Sequence, residues 1–279
     1  MDVLIFEPQT HSYISPETDI DWISVTTLLS NFKKPFDGKS IAAKSAKNAK
    51  GKWYGMSVED IQKAWKAEAD RACDLGTYYH NQREEELLSF KTIVKQGVEL
   101  PVIPPIYDEQ GRKMAPSQKL GDGIYPEHMV YLRSAGVCGQ SDLVEVIDGK
   151  VYITDYKTNK EIKRQSFKNW EGISEKMLAP VSHLDDCNYN HYNLQLSIYM
   201  YMILKHNPKL EFGDLIIRHV TFHEKDQKDM YGFPVTLQDE NGKPIVKDSI
   251  EYHMPYLRDE VISIMHAVQD NPYRYKKRK

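Results

Sequence analysis

Residues 153–160 read "ITDYKTNK", an otherwise strand-like run that carries Asp155 and Lys157 two positions apart. Successive side chains of a strand point to opposite faces, so this acid and base share a face with Ile153 and Val151 while Tyr156 turns away. An acid and a base at the end of an apolar face cost free energy unless they are paired or used. A structural salt bridge is one reading and a reactive site is the other.

The preceding strand bears on the choice. Asp148-Gly149 lies between two alternating β-rich runs, a two-residue hairpin signal that fixes register. With these residues as the turn, Val146 faces Val151, Val144 faces Ile153 and Asp142 faces Asp155. Directly opposed acids have β-carbons about 5 Å apart, where like charges are destabilising. The pairing is sustained if one carboxyl keeps its proton or if a cation sits between the two. A divalent metal held by Asp142 and Asp155, with Lys157 beside it, accounts for all three residues. A solvent-exposed hairpin end with the acids splayed into water, or a one-residue slip in register, accounts for them without a metal.

The elements around this hairpin are read from spacing. "VLIFEPQTHSYI" reads as strand, turn and strand, and "SVTTLLSNF" as a short helix capped by Ser24. "KSIAAKSAKNAKGKW" has helical spacing, with Lys44, Lys47 and Lys50 on one broad side. Ser57 and Asp60 form a capping box ahead of Ile61, Trp65, Ala69, Ala72 and Leu75, after which Gly76-Thr77 is expected to break or kink the helix and a new run to begin near His80. Residues 98–123 read mainly as loop. Strands are expected at 126–133, 137–147 and 150–157, a buried helix at "YNLQLSIYMYMILKH", a strand at "DLIIRHVTFH", a hairpin turning at Asn241-Gly242, and a last helix at "LRDEVISIMHAVQDN". With no repeat, low-complexity tract or linker, the expectation is a single α/β (α+β) domain over 1–279, a mixed central sheet flanked by helices. Within it, 1–75 is an N-terminal hairpin and helical elaboration, 76–223 the core, and 224–279 a hairpin, helix and basic tail.

Composition excludes several classes. The chain has 279 residues, 41% hydrophobic and 28% charged, so it can bury a full core. A net charge of −3 rules out indiscriminate coating of nucleic acid, yet seven Lys and one acid (Asp37) lie between Lys33 and Lys52, and "YRYKKRK" ends the chain. Such local patches suit a polyanion held at a defined place, or are ordinary solvated lysines. Cys73, Cys138 and Cys187 are scattered without CxxC spacing, which fits reduced thiols and argues against a zinc site, a disulfide framework or a four-cysteine iron–sulfur cluster. "MDVLIFEPQT" lacks the layout of a signal peptide, and "LQLSIYMYMIL" is too short to span a bilayer, so a soluble, intracellular protein is expected. "DGKS" at 37–40 lacks the first Gly of a P-loop.

"GQSD" at 139–142 and "DYKT" at 155–158 resemble the G-x-x-D and D-x-K-T strands of the PD-(D/E)XK nuclease superfamily, in its RecB-like exonuclease branch. "GTYYH" (76–80) matches the upstream G-x-x-x-H helix and "QLSIY" (195–199) the downstream Q-x-x-x-Y helix. D-x-K alone is common; four pieces in family order over 76–199 are specific. Ser141 stands where the superfamily name has Pro, a departure usual in this branch. The resemblance implies a restriction-endonuclease-like core and metal ligands His80, Asp142, Asp155 and the Tyr156 carbonyl, taking Mg2+ or Mn2+ as one or two ions. It implies that Lys157, its pKa lowered by desolvation beside a metal, orients or deprotonates the attacking water and stabilises charge on the phosphate. Gln195 and Tyr199, four apart on one helical face, would contact DNA and brace the site; a mutually satisfied buried pair is the alternative, as is a core histidine for His80. Glu127, on the strand before Asp142, and Glu84, one turn after His80, are further candidate carboxylates, Glu84 lying in a run "EEE" that also fits a solvated face.

The activity so implied is a metal-dependent exonuclease acting on single-stranded or duplex DNA ends in phage-type recombination, repair or genome processing, in a bacterial or phage-infected host cytoplasm. A single-strand annealing or binding protein is an implied partner. Lys44, Lys47 and Lys50 would hold the phosphate backbone, and Phe167, Trp170 and Tyr189 could stack on unpaired bases or pack on the body. A junction-resolvase-like endonuclease and a catalytically inactive DNA-binding module are the rival readings.

Overall fold

The computed structural model describes residues 4–168, 171–272 and 275. Six strands make the main sheet: β1 (Ile23–Ser24), β2 (Gly123–Leu132), β3 (Val137–Ile147), β4 (Lys150–Lys157), β5 (Glu211–Phe222) and β6 (Val246–Met254). Among the described residues five α-helices accompany them: α1 (Val25–Ser30), α2 (Gly38–Lys47), α3 (Val58–Leu88), α4 (Asn188–His206) and α5 (Arg258–Asp270).

The hairpin of β3 and β4 has the expected register, Val146 opposite Val151 and Val144 opposite Ile153, with the ladder ending at Leu143–Thr154. Asp148 and Gly149 both have positive φ, 49° and 75°, the backbone a two-residue turn of this hand requires. On the other edge of β3, β2 runs antiparallel from Val146–Gly123 to Val137–Leu132. β1 pairs in parallel with Val137 and Cys138. Because β2 already occupies one side of those two residues, β1 and β4 share the other side and leave 139–142 of β3 unpaired between them. β4 then pairs in parallel with β5, and the crossover that parallel strands require contains α4. β6 closes the edge antiparallel to β5.

The alternation of β4 sorts the helices onto two faces. Val151 and Ile153 enter the main core with Leu194, Leu196, Ile198, Met200 and Met202 of α4 and with buried residues of α1 and α5. Those α4 residues recur every second position and so lie all round the helix, as a helix covered on every side demands. Tyr156 faces the other way and meets Tyr79 of α3, ring centroids 5.7 Å apart. α3 begins with the expected cap, Ser57 Oγ accepting from Asp60 N at 3.1 Å.

Two expectations are corrected. α3 is unbroken through Gly76, where a β-carbon would lie 3.3 Å from Thr158 Oγ1; the glycine serves a close approach to the sheet and not a break. Lys50 lies beyond the end of α2, outside the helix that carries Lys44 and Lys47. The region 98–123 is mainly loop, as expected, and carries short strands within it. Val98–Pro101 pairs with Thr92–Lys95, and Ile106–Tyr107 and Lys113–Met114 join Ile5–Glu7 and Ser12–Ile14 in a four-stranded sheet. The expected hairpin turn at Asn241-Gly242 exists, Gly242 N donating to Asp239 O at 3.0 Å, and its arms meet through Gln238 and Pro244, with Ile245 N donating to Leu237 O at 3.0 Å; beyond them Pro234–Thr236 pairs with Glu224–Lys228 and β6 with β5. Among the described residues no helix is long and apolar enough to cross a membrane, and Trp170 and all of the basic tail except Tyr275 lie outside them.

Leu196, fully buried in α4, sets the scale of the core. Leu196→Ala should cost about 2–5 kcal/mol in a urea titration, against about 0.5 kcal/mol or less for Leu88→Ala at the partly exposed end of α3. Equal midpoints for the two variants would mean that α4 is not the centre of the core.

Candidate functional site

The site forms where the ladders of β3 stop. Pairs Pro126–Leu143 and His128–Ser141 put Glu127 opposite Asp142 across β2 and β3, and Leu143–Thr154 puts Asp155 opposite Asp142 across β3 and β4. Three carboxylates therefore lie in one row over three neighbouring strands. Glu127 has a positive φ of 50°, a sparsely populated conformation for a non-glycine residue that re-aims its side chain at this row.

Each element contributes a partner. From α3, His80 Nε2 donates to the Tyr156 carbonyl at 3.0 Å and Nδ1 lies 3.3 Å from Asp142 Oδ1. The other Asp142 oxygen accepts Tyr156 N at 2.7 Å, taking the place of a ladder bond. From α4, Gln195 Nε2 donates to Asp155 Oδ1 at 3.1 Å and lies 3.3 Å from the Tyr199 hydroxyl. Lys157 Nζ meets Asp155 Oδ2 at 2.5 Å and sits 4.8 Å from the centre of the Tyr192 ring. Gly139 explains why β3 needs a glycine here: a β-carbon would fall 2.7 Å from Tyr199 Cε1.

The electrostatics follow from burial and from the row. Burial raises Glu127 to about 8, the charge of Asp142 adding to it and Lys113 opposing. Burial raises Asp155 to about 6, with Lys157 opposing and Asp142 adding. Burial pulls His80 down, but its hydrogen bond to Asp142 and the charges of Asp142 and Asp155 prevail and lift it to about 9. Burial also pulls Lys157 down, and the carboxylates of Asp155 and Asp142 outweigh it, so its pKa lies above the usual lysine value. That corrects the expected lowering: beside two carboxylates the ammonium form is held.

Among the described residues, ligand atoms of His80, Glu127 and Asp142 all lie within 4.8 Å of one another. The tightest trio thus contains Glu127 in place of Asp155, which is turned toward Lys157 and Gln195. Glu84 stands one step back: Lys113 bridges it at 3.5 Å and Glu127 at 3.6 Å. Lys113 and Gln140, whose side-chain amide donates to Glu127, were not singled out from sequence. Gln140 is the second residue of the "GQSD" piece, whereas Lys113 arrives from a short strand that carries no local signal. Lys44, Lys47 and Lys50 are exposed and lie on a separate surface. Tyr189 packs against the main core under Arg164, and Phe167, 81% exposed, is the open ring of that loop among the described residues.

No family model and no curated protein matches the chain. The solved structure described as "Crystal structure of SSO0001" is similar over 94% of this chain and 80% of that chain, at 11% identity and a TM-score of 0.32, a likeness too slight to carry an argument.

The contact of Gly139 with Tyr199 is open to a direct check. Gly139→Ala should lower stability by about 1–3 kcal/mol in thermal melts, because the Tyr199 ring is backed by the core and must shift. An unchanged melting temperature would mean that Tyr199 does not rest against β3.

Proposed function

We propose that this chain is a divalent-metal-dependent deoxyribonuclease of the PD-(D/E)XK superfamily, RecB-like branch, hydrolysing phosphodiester bonds from DNA ends. The observation that carries this reading is convergence. The four sequence pieces, spread over 76–199, supply His80 from α3, Asp142 from β3, Asp155 and Lys157 from β4, and Gln195 and Tyr199 from α4 to one place linked by direct contacts. The chain order α3, β2, β3, β4, α4, β5, with three antiparallel strands and a parallel fourth, supports a restriction-endonuclease-like core.

The donor set fits a hard divalent cation, since carboxylate and carbonyl oxygens suit Mg2+ and an added imidazole suits Mn2+. His80, Glu127 and Asp142 would hold it, with Asp155 and the Tyr156 carbonyl adjoining. When bound, such an ion supplies charge neutralisation at the phosphate and a water of lowered pKa. The chain's own residues do the rest. Lys157, held as ammonium by Asp155, stabilises negative charge developing on the phosphate oxygens. Gln195 fixes the Asp155 carboxylate in one orientation, and Tyr199 fixes Gln195. Lys44, Lys47 and Lys50 hold phosphate backbone without reading sequence. DNA is the partner, and a single-strand annealing or binding protein fits a phage-type recombination role.

One gel tests the activity. End-labelled single strands, linear duplex and closed circular plasmid are incubated with Mg2+, Mn2+ or EDTA, beside Lys157→Ala. Metal-dependent loss of linear DNA with circles intact is expected, and Lys157→Ala should cut the rate about 10²–10³-fold while still binding DNA. Nicked circles would replace the exonuclease with an endonuclease, and DNA bound without cleavage would leave a binding module.

Metal affinity gives a second test. Asp142→Asn should weaken Mn2+ binding in calorimetry by an order of magnitude or more, and an affinity equal to the parent's would remove Asp142 from the ligand set.

A further inference from the structure

Away from the carboxylate row, four aromatic rings form a chain where α2 meets the start of α3. Phe36 packs on Trp65 with ring centroids 6.2 Å apart, Trp65 on Trp53 at 6.4 Å, and Trp53 on Phe233 at 6.0 Å. Phe36 is 73% exposed and the other three are half-buried, so the chain of rings is open to solvent. Tyr79 and Tyr156, further along at the contact of α3 with the sheet, are by contrast covered.

The surroundings are cationic. Lys52 lies 4.5 Å from the centre of the Trp53 ring and 3.7 Å from that of Phe233. Gly55 N donates to Ala46 O at 3.0 Å, tying the segment with Lys50, Lys52 and Trp53 to the end of α2, where Lys44 and Lys47 are exposed. Asp37, the one acid between Lys33 and Lys52, is engaged as the cap of α2 through Ser40 N. Of the acids on the early turns of α3, Asp60, Asp70 and Glu68 are paired locally with Lys63, Lys66 and Arg71, and Glu59 is exposed in the first turn.

Open rings beside unneutralised lysines match single-stranded nucleic acid, whose bases stack on aromatic faces while its phosphates meet cations. A duplex hides its base faces and an apolar protein partner has no use for the lysines. We infer that this aromatic–lysine patch binds the unpaired strand of a DNA end, with bases on Phe36 and its neighbouring rings and phosphates on Lys44, Lys47, Lys50 and Lys52. The inference rests on the reading of the chain as a nuclease and adds to it a binding site and a length. α3 is unbroken from Trp65 to His80, which puts the patch ~22 Å along the helix axis from the carboxylate row. At ~3.4 Å per stacked nucleotide that span holds about six nucleotides.

The test is anisotropy with fluorescein-labelled oligothymidylate and a blunt hairpin duplex, in EDTA so that nothing is cut. Phe36→Ala should weaken binding of the oligothymidylate about tenfold or more, with hairpin affinity and melting temperature unchanged, and Phe36→Trp should restore it. Oligothymidylate affinity equal to the parent's in Phe36→Ala would overturn the inference, including in favour of a protein on this surface, and would leave cleavage by the parent protein as separate support for the nuclease. A parent protein that neither binds oligothymidylate nor cuts DNA would overturn both.

Discussion

Mutual repulsion along the row Glu127, Asp142 and Asp155 is the constraint about which the molecule is arranged. Pairing of β2, β3 and β4 sets the three acids side by side, and the sheet by itself offers the Tyr156 N–H, the Gln140 amide and Lys157 to oppose their charge. Everything else comes from outside the sheet: His80 from α3, Gln195 from α4, and Lys113 from a strand of the smaller sheet. Like charges at cross-strand distance are destabilising, so the row is tolerable only once helices have docked on both faces. The site is thereby a property of the completed fold and not of the hairpin that carries its most recognisable residues.

Docking from both faces sets a second requirement, that helices approach the strands closely. Two glycines meet it. Gly76 lets α3 pass Thr158, and Gly139 lets the Tyr199 ring of α4 lie on β3. The approach of α3 brings His80 to the Tyr156 carbonyl, and that of α4 brings Gln195 to Asp155. Each glycine also lies within four residues of a polar residue of the site, Gly76 before His80 and Gly139 before Asp142. The spacing in "GTYYH" and "GQSD" is thus intelligible as packing as well as chemistry.

What could be read in the sequence was what local rules determine. Asp148-Gly149 dictated the register of β3 and β4, hence the opposition of Asp142 and Asp155, and Ser24 and Ser57 marked the helix starts. The misreadings share one cause. Gly76 looks like a breaker by propensity, but its role is decided by Thr158, far along the chain. The strands between 92 and 114 are two to four residues long and gain their order from pairing with distant segments such as Ile5–Glu7. Glu127 could be named as a candidate, yet its place in the row depends on β2 pairing with β3 and on its own positive φ, neither of which is written in neighbouring residues.

The energetic balance also explains where the row sits along β3. An unpaired stretch in mid-sheet would leave backbone groups unsatisfied, whereas residues 139–142 fall between the end of β4 and the start of β1, where the ladder is already interrupted on that side. The Asp142 side chain then satisfies the Tyr156 N–H that β3 no longer reaches. Strain at Glu127 of about 1–3 kcal/mol and the raised carboxylates are borne by the apolar cluster around α4, which lies directly behind Asp155. An all-round apolar helix at that position has a purpose beyond filling space: it excludes water from one side of the row. Charges there interact more strongly than they would in solvent, and the half-exposed side toward α3 remains the approach for anything the row is built to hold.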